Sequence, residues 1–405
     1  MNEKQVINTF NELTSELITK DYLPTIYNLA FERRRAEFVN RIPRSSENVE
    51  GLQVYITYLT KVPWAWRAMS EFGYTPTGAK FDAEEGYAQM GCHASNAIVS
   101  LTELEATKQG RWQNILDKQM RAIKETFPYY VRALLWSSQN SKKAIGKVSS
   151  VSNATVTLDT SGLWYDTSSK VAHLFVPGMF VQAYSGDSKV GSPVEVTDVD
   201  FKNGTVELAS DPGLSAGDLF TCSDVGGLDQ PYCENCPGIY DVIDDDNVFQ
   251  GIDRSAHGSK FKPVIQDATD QTLNYELLDD FFHECYNPDT AHTSREIVQK
   301  YWQDNLASAV RYQPGGMFVD GHEGVQVGAT KLIVDDDVPE HDIVVPDHSN
   351  WQLADRGGLE NTFGTGWEKI SGRPFIEYNI HWWTLLIAMN VRNFGRMHSI
   401  TETSG

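Results

Sequence analysis

Apolar residues recur three and four apart along residues 111–137, where Ile115, Leu116, Met120, Ile123, Phe127, Tyr130, Val131, Leu134 and Leu135 fall on one stripe headed by Trp112. That period predicts a long amphipathic helix, roughly 40 Å from end to end at the standard rise. Pro128 predicts a kink or a fresh turn inside it. The same spacing marks residues 5–20 (Val6, Ile7, Phe10, Leu13, Leu17, Ile18) and Leu23–Phe38 as shorter helices, the second broken by the stretch around Pro43.

A different pattern holds in residues 51–60, GLQVYITYLT, where β-branched and aromatic residues predict a strand. A second extended run extends from about Ala83 to Leu101. Between them lies a turn-rich stretch with Pro63, Gly73, Pro76 and Gly78, so the two runs form a long hairpin. Loops of that length generally carry function or meet a partner. Trp64, Trp66 and Tyr74 within it are costly to leave in water, which predicts that they meet another surface.

From about Gly146 to Asp224 the chain has no Arg and alternates in short runs (KVSSVSNATVTL, HLFVPGMFVQAY, PVEVTDVDF, GTVELA) separated by turn residues. Regular short strands at this spacing predict a compact all-β barrel or sandwich of about five to seven strands, inserted into a host fold. Beyond Gly226 the character is mixed: Tyr275–Tyr286 reads as a helix, and His292-Thr-Ser-Arg-Glu as a helix start capped by Thr293 or Ser294. Strand-like runs follow, ending in FIEYNIHWWTLLIAMNVRNFGRM, whose aromatic and β-branched mixture predicts strands rather than a membrane helix.

Charge sharpens this division. The 405 residues carry 34 Lys and Arg against 55 Asp and Glu, a net charge of −21. That excludes a protein whose affinity comes from wrapping nucleic acid electrostatically. Residues 1–143 hold 18 bases and 16 acids, 144–224 hold 4 and 10, and 240–360 hold 8 and 24, a net of −16 in that stretch alone. Arg33, Arg34, Arg35, Arg41 and Arg44 cluster in the near-neutral N-terminal third. They read either as a solvated helix face paired with Glu32 and Glu37, or as contacts to acidic surface on another subunit or to phosphates. No run of about 18 apolar residues is present to span a membrane, and the polar N-terminus lacks the apolar core of a secretory signal.

The chemical inventory is sparse. Cys233-Glu-Asn-Cys236, with Cys222 upstream, has a metal-like spacing but lacks a second Cys-x-x-Cys; Cys285, His257 or His283 would have to complete a zinc tetrahedron, so buried or partly exposed cysteines are the simpler reading. Asp244–Asn247 and Asp335–Asp337 lack the spaced ligands of a calcium loop and read as solvated acidic turns. Gly321-His-Glu-Gly324 lacks the second His of a zinc-protease helix. No phosphate-binding loop, dinucleotide fingerprint or nucleophile elbow occurs. The sequence therefore predicts no catalytic residues, no metal site and no cofactor, and a metal-dependent hydrolase built around Cys222–Cys236 is the weakest functional alternative.

The order of elements resembles that of tailed-bacteriophage major capsid proteins, the Hong Kong 97-like fold. The likeness rests on the arm, the hairpin with Glu71-Phe-Gly-Tyr-Thr-Pro76, and the long helix. It also rests on the stretch Asp320–Pro339, two short strands ending in acidic residues, and on the closing Tyr378–Met397. It implies an α+β chain divided into an N-terminal arm (1–48), an extended loop hairpin (49–95) and a peripheral domain with a spine helix (96–145). An inserted β domain (146–224), the continued peripheral domain (225–270), an axial domain (271–370) and returning C-terminal strands (371–405) complete it. The implied function is a non-enzymatic subunit that self-assembles into hexamers and pentamers of an icosahedral head around double-stranded DNA. In the virion it would hold DNA without sequence-specific binding or membrane contact, after assembly in the host cytoplasm.

Implied partners are further copies of the chain, portal and decoration proteins, and a separate scaffolding protein, since the extended-loop signal starts near Gly51. Intersubunit contacts are expected from Arg33, Arg34, Arg35, Arg41, Arg44, Trp64, Trp66, Arg67, Glu71 and Tyr74. Lys61 and Lys80 flank the loop, without implying a cross-link. The alternative reading is a tail, fibre or surface-binding protein whose β module binds carbohydrate through Trp164, Tyr165 and Tyr184.

Overall fold

The computed structural model describes residues 7, 10, 14, 18–31, 37–46, 53–61, 82–106, 112–137, 144–159, 171–186, 188–223, 237–244, 248–257, 261–269, 271, 273–286, 288–306, 318–319, 322–356, 358, 360–361, 367–369 and 374–400. The N-terminal third opens with a π-helical turn (Ile18–Tyr22), helix α1 (Leu23–Phe31) and the single turn α2 (Glu37–Asn40). Strand β1 (Arg44–Ser45) follows, then β2 (Gln53–Lys61), β3 (Asp82–Gln89) and β4 (Gly91–Ser100). Helix α3 (Leu101–Ala106) leads into the spine helix α4 (Trp112–Trp136).

The spine is one continuous helix of 25 residues, about 37 Å long. It buries Ile115, Leu116, Met120, Ile123, Phe127 and Val131, as the apolar stripe predicts. Pro128 does not end it. The carbonyl that Pro128 leaves without a donor belongs to Lys124, an exposed position where water can replace the lost bond.

The inserted module holds β5 (Gly146–Ser152), β6 (Thr155–Asp159), β7 (Phe180–Ser185), β8 (Ser188–Asp200), β9 (Thr205–Leu208) and β10 (Leu219–Ser223). They close into a barrel in the order β10-β5-β6-β9-β8-β7. Alternate residues point inward: Val148, Val156, Leu158, Val181, Val196, Val206 and Phe220 are all buried. Register shifts at Val148/Ser150, Val181/Ala183 and Val196/Asp198 supply the local bends that closure of so small a barrel requires. Gly146 pairs with Phe220, so the chain enters and leaves the barrel side by side, as an insertion demands.

The remaining elements are α5 (Ile239–Ile243), β11 (Val248–Phe249), β12 (Ile252–Asp253), β13 (Val264–Asp267), α6 (Tyr275–Glu284) and β14 (Thr290–Thr293). After α7 (Arg295–Leu306) come β15 (Phe318–Val319), β16 (His322–Val327), β17 (Thr330–Val334), β18 (Ile343–Val345) and β19 (Trp351–Asp355). The chain closes with β20 (Glu360–Asn361), β21 (Glu368–Lys369), β22 (Phe375–Ala388) and β23 (Gly395–His398). His292 lies in strand β14, which ends at Thr293, rather than starting a helix, and Ser294 supplies the cap: its hydroxyl accepts from the Ile297 amide at 3.5 Å.

Two sheets organise the host. The first is centred on β22, which pairs with β4 on one edge and with β19, β20 and β21 on the other, while β1 adds in parallel to β19. The N-terminal half of β22 alternates between buried and half-buried positions; its last residues, Thr384–Ala388, are buried throughout, as expected where both faces are covered. The second sheet runs β13-β23-β18-β14-β17-β16-β15. Its core joins Leu278, Phe281 and Phe282 of α6, and Ile297 and Val298 of α7, to Leu332, Val334, Ile343 and Met397.

Sheet membership crosses the segment limits read from the sequence. The second extended run breaks at Met90, so β3 pairs with β2 while β4 joins β22. Likewise β13 and β23 belong to the second sheet, and β19 to the first. The acidic run 335–337 is not a solvated turn. Asp335 and Asp337 are buried where the spine, the arm and the second sheet meet, because Arg132 and backbone amides there offset their charge.

Candidate subunit interface

The β2–β3 ribbon has two unlike faces, which follow from the period of two along each strand. Val54, Ile56, Tyr58 and Ala88 point inward and pack with Ile252, Phe261, Ala354, Leu385 and Ile387. Gln53, Tyr55 and Thr57 point outward on β2, opposite Gln89, Tyr87 and Glu85 on β3. Tyr55 and Tyr87 stand directly across from one another and are 53% and 51% exposed. Two facing tyrosines left half in water on a ribbon whose other face is buried make an adhesive surface.

The ribbon is anchored where it meets the body. The Tyr87 amide donates to the Gln250 carbonyl at 3.0 Å. The Tyr58 hydroxyl donates to the Ala388 carbonyl at 2.7 Å and meets the Gln250 side-chain amide. Burial holds the Tyr58 hydroxyl protonated, pushing its pKa well above the usual phenol value. His257 Nε2 lies 2.6 Å from the Glu84 carboxylate, tying β3 to the segment after β12. Gly86 is required here: a Cβ would lie 2.8 Å from the Gln250 carbonyl and 2.9 Å from the Tyr58 ring.

The arm cluster is split by the fold. Arg41 pairs with Glu37 one helical turn earlier at 2.9 Å, the local pairing that the sequence also allowed. Arg44 is exposed, its guanidinium over the rings of Tyr27 (5.3 Å) and Phe31 (4.8 Å). Arg44 and Tyr27 border a cleft of about 370 Å³ between α1 and β1. On its floor, the buried Asp355 accepts from the Tyr27 hydroxyl and from the Gly358 amide at 2.8 Å. Arg33, Arg34, Arg35, Trp64, Trp66, Arg67, Glu71 and Tyr74 lie outside the described residues, as do Trp164, Tyr165, Cys233 and Cys236.

Tyr184, the described member of the carbohydrate set, is 4% exposed in β7 and is part of the barrel core. A stacking platform needs a free ring face, so Tyr184 does not serve as one. Cys222 sits in β10 and Cys285 in the core beside Phe281; burial raises both thiols to about 12, which makes them poor nucleophiles. Among the described residues, no His, Cys, Asp and Glu group into a metal-binding cluster. No helix among them is long and apolar enough to cross a membrane.

The intersubunit contacts expected from the sequence fall on the loop tip and the Arg cluster; Tyr55, Glu85 and Tyr87, which the fold leaves exposed on the outer face of the ribbon, are not among them. The available signal was the alternation of GLQVYITYLT itself, which puts Tyr55 on the face opposite Val54 and Ile56.

No protein-family model and no curated protein matches the chain. Solved structures do. The capsid asymmetric unit of cyanophage A-1(L) shares 9% identity, with 95% of each chain covered and a TM-score of 0.48. The holo-SrpI encapsulin complex from Synechococcus elongatus PCC 7942 shares 9% identity, with 92% of this chain and 89% of that one covered and a TM-score of 0.41. The satellite phage P4 procapsid, which includes a size determination (Sid) protein, shares 10% identity over 99% of this chain and 98% of that one, with a TM-score of 0.40. In order, the described elements are an arm, a two-stranded ribbon, a spine helix with an inserted closed barrel, a second sheet carrying two helices, and a long closing strand. This order agrees with the one expected from the sequence's resemblance to the Hong Kong 97-like capsid fold.

Proposed function

We propose that the chain is a structural subunit of a phage head, assembling with its own copies as hexamers and pentamers of an icosahedral shell around double-stranded DNA. The observation that carries this reading is the β2–β3 ribbon, fastened to the body by one face and presenting the Tyr55–Tyr87 pair on the other. Copies of a subunit that must tile a surface need such a projecting, self-adhesive element. The net charge of −21 suits a container that holds DNA without gripping it, because a net acidic wall repels phosphates. A separate scaffolding protein, portal and decoration proteins belong to the same proposal, as do assembly in the host cytoplasm and residence in the virion.

Electron microscopy of the expressed protein, alone and with its scaffolding protein, tests the reading. Closed shells or capsomers are expected, and a Tyr55→Ser/Tyr87→Ser variant is expected to keep its Tm and lose most assembly. Strictly monomeric protein at high concentration in both settings overturns it.

A further inference from the structure

Phe38 is the plug that seats the arm on the body. Its buried ring stacks on Trp136 of the spine, 5.0 Å between centroids, and stands edge-on to Trp351 of β19 at 5.1 Å and to His292 of β14 at 5.4 Å. Its backbone amide lies in the first turn of α2, where a helix offers no acceptor of its own, and Asp335 Oδ2 accepts it at 2.7 Å. The other oxygen of Asp335 accepts from the Asp337 amide at 2.9 Å. One carboxylate oxygen thus holds the backbone of the arm.

That oxygen has a second claimant. His292 Nδ1 stands 3.4 Å from Asp335 Oδ2, within ion-pair range but longer than a charge-assisted hydrogen bond of about 2.7–2.9 Å. The imidazole is fully buried, and neither ring nitrogen has a hydrogen-bond partner among the described residues. Buried polar atoms are nearly always paired, so a ring with both nitrogens unpaired is held short of its preferred state. The charged and titratable groups around it come from three elements. Asp335 and Asp337 lie in the turn after β17, Arg132 of the spine is paired with Asp337, and the His348 ring ahead of β19 is 6.4 Å away. Arg132 and Asp337 neutralise each other, which leaves the Asp335 charge to His292. Burial, with His292 and Arg41, lowers His348 to about 4 against the opposing pull of Asp347, so that second ring stays neutral in mild acid.

We propose that His292 is a proton-operated latch on the N-terminal arm: when its ring takes a proton, it draws Asp335 from the Phe38 amide and opens the wall that α2 forms. Protonation changes both ring nitrogens. Nδ1–H becomes a cationic donor that closes on Asp335 Oδ2, so the carboxylate no longer serves the neutral amide alone. Nε2–H becomes a donor for which the surrounding described side chains supply no acceptor, and solvent reaches it only when a wall gives way. Strand β14 is paired on both edges, by β17 and β18, and the spine is one helix of 25 residues, whereas α2 is a single turn of 4 residues. The arm is therefore the wall that moves. The step is a reversible proton uptake in which no covalent bond between heavy atoms changes. The latch belongs to one subunit and is independent of how copies assemble.

Hydrogen exchange of the full-length chain tests it. The readout is the protection of the Phe38 amide, corrected for its intrinsic rate and divided by that of the Tyr87 amide on the ribbon, so that a global loss of stability cancels. Between about pH 7.5 and about pH 5.5 this ratio is expected to fall at least about tenfold in the wild-type chain. His348→Asn should keep the fall, since the second ring is not the latch. His292→Leu fills a similar volume and takes no proton, and should abolish it. Asp335→Asn should abolish it as well: its amide oxygen still accepts from Phe38 but offers no charge to an imidazolium, and it decides the matter should His292→Leu fail to fold. A ratio that stays constant with pH in wild type, a fall that persists in His292→Leu or Asp335→Asn, or one that is lost in His348→Asn overturns the latch. None of these outcomes bears on the shell reading.

Discussion

Arg132 of the spine helix is ion-paired with Asp337, from the turn that follows β17, and each side chain is 1% exposed. Arg132 also donates to Asn40 Oδ1 at 2.9 Å, at the end of α2. Next to this pair, Asp335 accepts from the Phe38 amide at 2.7 Å, and His292 Nδ1 of β14 lies 3.4 Å from it. Arm, spine and second sheet are thus fastened at one dry point, where a charge is tolerated only because its partner is present.

Removing one partner should be far worse than removing both. Arg132→Met or Asp337→Asn is expected to cost about 3–5 kcal/mol of unfolding free energy, because an uncompensated polar group stays buried. The double variant Arg132→Met/Asp337→Leu should recover a large part of that loss. Denaturant midpoints of the three proteins, with m-values checked for constancy, measure the coupling.

Acidification should weaken the same junction. Burial, with the neighbouring His292 and Arg41, lowers His348 from 6.5 to about 4, against the opposing pull of Asp347. Its neutral ring accepts from Trp351 Nε1 at 3.3 Å, which a protonated ring could not do. The unfolded chain binds a proton that the folded one refuses, so stability is full above pH 6.5 and falls as the pH drops toward 4. The loss at the acid end should be on the order of 3 kcal/mol. Thermal melts between these limits should show the fall, and His348→Asn should flatten it.

Gly86 should tolerate no side chain. An added methyl group must displace the Gln250 carbonyl or the Tyr58 ring, both fixed by their own contacts. Gly86→Ala is expected to cost about 1–3 kcal/mol. It should also speed hydrogen exchange at the Tyr87 amide, whose acceptor is the displaced carbonyl. An unchanged exchange rate would show that the ribbon is anchored elsewhere.

The barrel should fold without its host. Every one of its six strands has two neighbours, so its ladders need no outside partner, and its first and last strands pair with each other. A fragment covering residues 144–223 is expected to melt in one cooperative transition followed by circular dichroism. A broad, non-cooperative melt would show that the barrel borrows stability from the spine.

Local pattern made a good deal of this architecture legible. The stripe from Trp112 to Leu135 fixed the spine, and the loss of Arg with short alternating runs marked the barrel. The apolar–polar alternation of residues 51–60 marked the first strand of the ribbon. These are properties of neighbouring residues, so sequence order is enough to reveal them. The arm cluster was legible only as a cluster: that Arg41 pairs with Glu37 while Arg44 lies over Tyr27 and Phe31 depended on where α1 and β1 lie.

Long-range pairing decided the rest. Nothing local separates β3 from β4 at Met90, or sends β19 to one sheet and β18 to the other; the choice belongs to partners hundreds of residues away, such as β22 for β4. The run Asp335-Asp-Asp337 looks like a solvated turn until Arg132 and the Phe38 amide are brought to it, because burying a carboxylate is a matter of what surrounds it. The same holds for Tyr184, which reads as a platform in sequence and is core once the barrel closes. The sequence by itself determined the elements, their order and the uneven charge. The tertiary structure decided which faces are covered, and so which residues remain free to meet another copy.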